Sequence, residues 1–255
     1  MLAAQKLKFD AVLCLFPHMK EKNETDSEGR SVLHYLCMNK SVSDEKLCQA
    51  LNTICSQVDA NKPDSLGKVP LHYLLKNSTA IESIKYLASL TNNIQQLTDK
   101  ADQTLLHTAL KCTQPVQIIE LLLKSRINLN SADKKGRTPF GQLILNTSYS
   151  VSTKVHLLTL LAPLGMNPDL TSSFFIGMDL KTMKSLYETM SIIDYLFHSN
   201  GSEELIIQTL KLGAKLDIPN TLNQKSLEII LNRRKSHYLL SIILANSLPS
   251  VSISC

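Results

Sequence analysis

Residues Val116 to Gln142 read V-Q-I-I-E-L-L-L-K-S-R-I-N-L-N-S-A-D-K-K-G-R-T-P-F-G-Q. An apolar helical run ends in Leu121-Leu122-Leu123. A short polar link, Arg126 to Ala132, leads to Asp133, a turn glycine at Gly136 and a new helix start at Thr138-Pro139. The stretch is a seam between two copies of one unit, and its register transfers to the rest of the chain. Asp26 to His34, Asp64 to His72, Asp99 to His107 and Asp133 to Gly141 align. The slot held by His falls at 34, 72, 107 and 141, a period of 34 to 38 residues. Weaker copies follow at Ser191 to Leu196 and Asn220 to Glu228. A fixed period of this size marks stacked repeats.

The residue types in each copy have physical reasons. A turn glycine reaches positive φ without steric cost. Ser31, Thr104 and Thr138 can cap a helix start, and Pro70 and Pro139 sit in a first turn that lacks an N–H partner anyway. Second helices show one apolar face, as in Ile81, Ile84, Leu87 and Ala88. One such pair cannot bury that face alone, so units must stack.

These motifs resemble the ankyrin-repeat family. The D-x-x-G turn, the T-P start, the paired helices and the Leu-Leu and Gly213-Ala214 ends match its pattern across nearly the whole chain. The resemblance implies an all-α ankyrin-repeat solenoid of stacked helix-turn-helix units with short hairpin-like turns. The expected layout is one array over 1–255. It has a half unit at 1–25 and units at about 26–63, 64–98, 99–132 and 133–170. An insertion at 171–188 and units at 189–219 and 220–255 complete it. The insertion is read as a loop plus a short helix, Leu180 to Glu188; a degenerate repeat is the alternative. The third copy places Asp102 in the glycine slot, which Asp tolerates better than most residues. The chain starts in mid-unit and ends on the apolar Leu239 to Leu244, so it reads as part of a longer chain.

Composition narrows function. Apolar residues make up 44% and aromatics 5%, and Trp is absent, which suits thin helical layers. No stretch has the ~18 apolar residues of a membrane span. Six scattered cysteines without a C-x-x-C pair imply free thiols in a reducing compartment, so an intracellular site, cytoplasmic or nuclear, is expected. Asn77-Ser78-Thr79 fits a glycosylation pattern that matters only on secretion. His34, His72 and His107 come one per unit, too far apart for one metal; the resemblance implies a local hydrogen-bonding role for each. No phosphate-binding, nucleophile or zinc motif occurs. No catalytic residue, cofactor or metal is expected.

The informative signal is charge placement. The net charge of +5 is modest. The resemblance implies that partners touch the hairpin tips and the exposed ends of the first helices. Of the 25 residues in those slots, nine are basic and one is acidic. The expected binding set is Arg30, Lys68, Lys76, Lys100, Gln103, Lys111, Lys134, Lys135, Arg137 and Arg233, on one basic concave face. This predicts a non-enzymatic module for an acidic or phosphorylated protein segment. Two other readings stay open. One is a substrate-recruiting arm of a larger enzyme, of ubiquitin ligase or ADP-ribosyltransferase type. The other is a nucleic-acid groove, disfavoured because stacking aromatics are scarce in the slots.

Overall fold

The computed structural model describes residues 9–112, 114, 116–169, 171–179, 184–199 and 201–215. The expected last unit, with Arg233 and the Leu239 to Leu244 helix, lies outside them. The chain divides into two compact units, Met1–Asn128 and Leu129–Cys255.

The described residues of the first unit begin with α1 (Phe9–Leu15) and a 3₁₀ turn. Three helix pairs follow: α2 (Val32–Met38) with α3 (Asp44–Cys55), α4 (Pro70–Leu74) with α5 (Ile81–Leu90), and α6 (Leu105–Lys111) with α7 (Val116–Lys124). First helices pack on first helices, α2 against α4. Second helices pack on second helices, α3 against α5 and α5 against α7. Leu33, Leu47, Leu51, Leu71, Ile84, Leu87, Leu105, Ile118 and Leu122 are fully buried in these layers. Each such side chain contributes about 1.5–3 kcal/mol by leaving water. Asp44 joins neighbouring pairs: its carboxylate accepts the N–H groups of Glu82 and Ser83 at 2.8 and 3.0 Å and so caps α5 from the preceding pair. Ala80, at the N-cap of α5, has no side chain to do this.

Before each pair the chain makes a finger closed by the turn aspartate. The Asp64 N–H donates to the Lys68 carbonyl, and its Oδ1 accepts the N–H groups of Leu66 and Lys68, both at 2.8 Å. This is why Asp opens each copy. Neighbouring fingers pair through Ser65 N–H to Glu28 O and Lys100 N–H to Leu66 O, both 2.8 Å. Gly67 is left-handed at φ +73°, and a Cβ there would lie 3.1 Å from the Lys100 nitrogen. Asp102 takes the equivalent conformation at φ +58°, as its slot predicts.

The second unit contains α8 (Pro139–Leu145) with α9 (Val151–Leu161), then β1 (Thr171–Asp179), β2 (Lys184–Ser191), and α10 (Ile192–His198) with α11 (Glu203–Lys211). β1 and β2 form an antiparallel hairpin with a bulge between Phe175 and Gly177. The helix predicted over Leu180 to Glu188 is therefore corrected: Lys184 to Glu188 belong to β2. A short apolar run is ambiguous between helical and extended spacing, and here the backbone pairs antiparallel, with Phe175 in register with Tyr187 and Ser173 with Thr189. The hairpin is an enlarged finger. Thr171 pairs with Ser191 as Thr98 bridges Thr104, and the Ser173 N–H donates to Gly136 O at 2.8 Å, as finger pairs do in the first unit. Between those bridges the first unit uses the five residues Asp99–Gln103, and the second uses the nineteen from Ser172 to Met190.

Candidate partner-binding face

The buried histidines belong to the helix starts. The Ser31 N–H donates to His34 Nδ1 at 3.0 Å, the Val69 N–H to His72 Nδ1 at 3.2 Å, and the Thr104 N–H to His107 Nδ1 at 3.2 Å. His34 Nε2 lies 3.0 Å from the Lys68 carbonyl oxygen, bridging to the next finger. His72 Nε2 has no acceptor. Burial, and then the nearby Lys68 ammonium, push the His72 pKa down to about 4. Burial likewise lowers that of His34. Among the described residues, no three His, Cys, Asp or Glu side chains converge on a point that could hold a metal. Cys37 is buried, and burial pushes its thiol well up; Cys55 is pushed up to about 11 by the same cause.

The expected binding residues separate into two kinds in the first unit. Arg30 and Lys68 are held by turn aspartates. Arg30 Nε sits 2.9 Å from Asp26 Oδ2, and its guanidinium lies 5.2 Å from the centre of the Tyr35 ring. Burial pushes the Asp26 carboxyl up, but hydrogen bonds from Tyr35 and Arg30 outweigh it and hold the group below the usual range. Lys68 Nζ pairs with the buried Asp99 carboxylate of the next finger. Asp99 behaves as Asp26 does, with Lys68 the main charge opposing burial. Gln103 is half-buried, and its backbone closes its finger on Asp99.

Lys76, Lys100 and Lys111 are exposed. Lys100 is at a finger, and Lys76 and Lys111 are at the ends of α4 and α6. Lys76 Nζ lies 4.9 Å from the Tyr73 ring centre. Tyr73 is fixed in turn by its hydroxyl, which donates to Asp64. Burial lowers the Lys76 pKa, and the ammoniums of Lys68, Lys111 and Lys40 push in the same direction. Lys40, two residues past α2, was not among the expected set; its slot is one beyond those the pattern marks.

One marked slot faces the other way. Asn39 and Asn77 are buried, and their Oδ1 atoms accept from Ser41 and Thr79 in tight Asn-x-Ser/Thr turns. Asn146 does the same with Ser148. The Asn77-Ser78-Thr79 pattern thus has a folding role.

In the second unit, Lys134 and Lys135 are exposed on a finger. Arg137 grips Asp133 through Nε at 3.0 Å and Nη2 at 2.6 Å.

A family model of ankyrin repeats, in three copies, matches residues 41–134. Among solved structures, the human ASB11 ankyrin repeat domain matches 97% of this chain and 97% of its own, at 17% identity and a TM-score of 0.66. At that identity the likeness speaks to the fold. No curated protein matches the sequence. Paired helices, aspartate-closed fingers and buried capping histidines, together with the family match over residues 41–134, give the chain an ankyrin-repeat fold. Ankyrin repeats are, as a class, protein–protein interaction modules. Among the described residues, no helix is long and apolar enough to cross a membrane.

Proposed function

We propose that the chain is a non-enzymatic interaction module that takes an acidic protein segment on its fingers and first-helix ends. The observation that carries this reading is the crowding of cations about Lys76. Lys68, Lys111 and Lys40 all act to lower the Lys76 pKa, and Lys68 is itself paired with Asp99. Such a surface gains from an incoming anion, chiefly through association rate and salt dependence. Lys100 extends it in the first unit; Lys134 and Lys135 supply finger cations in the second. Arg30, Lys68 and Arg137 shape the fingers more than they greet a partner. As the recruiting arm of a larger enzyme, the chain would use the same residues.

The test is fluorescence anisotropy with a labelled 12-residue Gly-Ser peptide carrying four glutamates. The triple variant Lys76→Glu, Lys100→Glu, Lys111→Glu should keep its helical circular dichroism, lose at least tenfold in affinity and lose most of the salt dependence. Reversing Lys85 and Lys124, on α5 and α7, should change affinity less than twofold. Equal losses from both sets would leave net charge as the whole explanation and end the assignment of a face.

A further inference from the structure

Resting on the reading that the finger cations take an acidic segment, we propose that this segment continues as a β-strand along the outer edge of β1, adding a third strand to the enlarged finger. The occupant is an extended stretch of a partner protein. It carries carboxylates at the end that meets Lys135 and β-branched residues beyond it.

Backbone register carries the argument. Fingers in this chain pair edge to edge through main-chain groups, as Ser65 does with Glu28 and Lys100 with Leu66. β1 follows that rule only at its base. The Thr138 N–H donates to the Ser172 hydroxyl oxygen at 3.1 Å, and the Ser173 N–H donates to Gly136 O at 2.8 Å. Gly136 already lies in the tip of the finger that Asp133 and Arg137 close, so the neighbour ends there. β1 runs on to Asp179. Among the described residues its sheet has two strands, and β2 occupies the other edge. Bonds in an antiparallel pair alternate in direction, so Phe175 turns its N–H and C=O outward as Ser173 does. From Phe174 to Met178 the sequence is F-F-I-G-M, without the charge or proline that commonly blunts an exposed edge. A two-stranded ribbon is marginal by itself, and a third strand both satisfies this edge and steadies it. Strand addition draws its affinity from such main-chain bonds.

The finger tip selects the chemistry of the occupant. A strand laid on β1 beyond Ser173 begins where the 133–137 finger stops. Lys135 is exposed there and immediately precedes Gly136. Its ammonium favours a carboxylate at that end of the strand.

The experiment compares labelled 12-mers of equal charge on the full chain by fluorescence anisotropy. One is the Gly-Ser peptide with four glutamates. The second has four glutamates followed by Thr-Val-Thr-Val-Thr-Val-Thr-Ser. The third is the second with N-methyl groups on two adjacent central residues, which removes a donor from each edge. The second peptide should bind at least tenfold tighter than the first, and the third should lose that advantage. Amide exchange at Phe175 should slow when the second peptide binds, and Lys135→Glu should weaken that peptide at least threefold. Replacing Phe175 to Tyr187 with Asn-Gly should abolish the preference while leaving the Gly-Ser peptide bound. Should that variant fail to fold, the methylated peptide and Phe175 exchange test the unaltered chain. Equal affinity for the first two peptides, or unchanged exchange at Phe175, would overturn the strand inference and leave the acidic-face reading intact. Failure of both peptides to bind would overturn both. A chain that light scattering shows as a dimer, and as a monomer once Asn-Gly replaces the extension, would overturn the inference in favour of pairing between two copies.

Discussion

The hydroxyl oxygen of Ser172 accepts the backbone N–H of Thr138 at 3.1 Å. In the first unit the same helix-start N–H is taken by a histidine imidazole three residues on, as Ser31 is by His34. The residue three beyond Thr138 is Gly141, and a Cβ there would lie 2.2 Å from the Ser172 Oγ. The absence of His at 141 and the presence of Ser at 172 are therefore one exchange: the enlarged finger supplies the acceptor that the helix lacks. Gly141→His should destabilise by about 1–3 kcal/mol, the cost of overfilling a packed site. Pairing it with Ser172→Gly should recover part of that loss. Urea titrations of the four variants in a double-mutant cycle measure the coupling, and strictly additive losses would break the link.

Much of this was legible in the sequence. The Asp–Gly spacing and the period gave the fingers, and apolar spacing gave Leu47, Leu51, Ile84 and Leu87 their common core. The hidden part is pairwise. Arg30 and Lys68 read as binding cations because sequence shows charge without geometry; only the fold brings Lys68 onto Asp99, 31 residues away. Asn39 and Asn77 fall in a repeated slot that the resemblance assigns to partner contact; their burial follows from turn chemistry over two residues, which the period does not reveal. The enlarged finger was visible as surplus length, but not as strands, because its pairing depends on register between Phe175 and Tyr187.

Acid should loosen the first unit through His72. An unfolded histidine titrates near 6.5, whereas burial and Lys68 hold His72 at about 4. Below pH 6.5 the unfolded chain takes up a proton that the folded chain refuses, so this contribution is complete above 6.5 and lost as pH falls towards 4. The interval corresponds to about 3 kcal/mol at roughly 1.4 kcal/mol per unit. Urea midpoints from pH 7 to 4.5 should fall, and His72→Asn should flatten the curve in that window. An unchanged slope in His72→Asn would assign the acid sensitivity to other groups.

Asp44 tests whether neighbouring pairs are capped across the repeat boundary. Asp44→Ala should cost about 1–2 kcal/mol, the range for losing a helix cap. Amide exchange at Glu82 and Ser83 should accelerate, while that of Leu47, within α3 itself, should hardly change. Selective fraying at residues 44–47 instead would make Asp44 a cap of its own helix.

Neighbouring cations on the finger at 133–137 should separate by role. Arg137→Glu sets a second carboxylate against the buried Asp133 side chain and should cost about 3 kcal/mol. Lys134→Glu with Lys135→Glu changes exposed groups and should cost under about 1 kcal/mol. Thermal unfolding distinguishes them before any binding assay, and Arg137→Glu should be kept out of affinity comparisons if its midpoint drops. Equal midpoints for the two variants would return Arg137 to the partner-facing group.

Shortening the enlarged finger should separate its base from its extension. The base is built in: Ser172 and Met190 are buried, Ser173 donates to Gly136 O, and Ser191 caps α10 by accepting the Asp194 N–H at 3.2 Å. A deletion beginning at Thr171 removes the Ser172 acceptor and the Ser173 pairing together, so it should expose the start of α8 and lower its exchange protection. Replacing Phe175 to Tyr187 with Asn-Gly keeps those contacts and closes the strands with a two-residue turn suited to a hairpin. That variant should retain the circular dichroism of α8 to α11 and keep Thr138 and Asp194 protected from exchange. Loss of protection at both positions in the Asn-Gly variant would mean that the extension, not the base alone, holds this unit together.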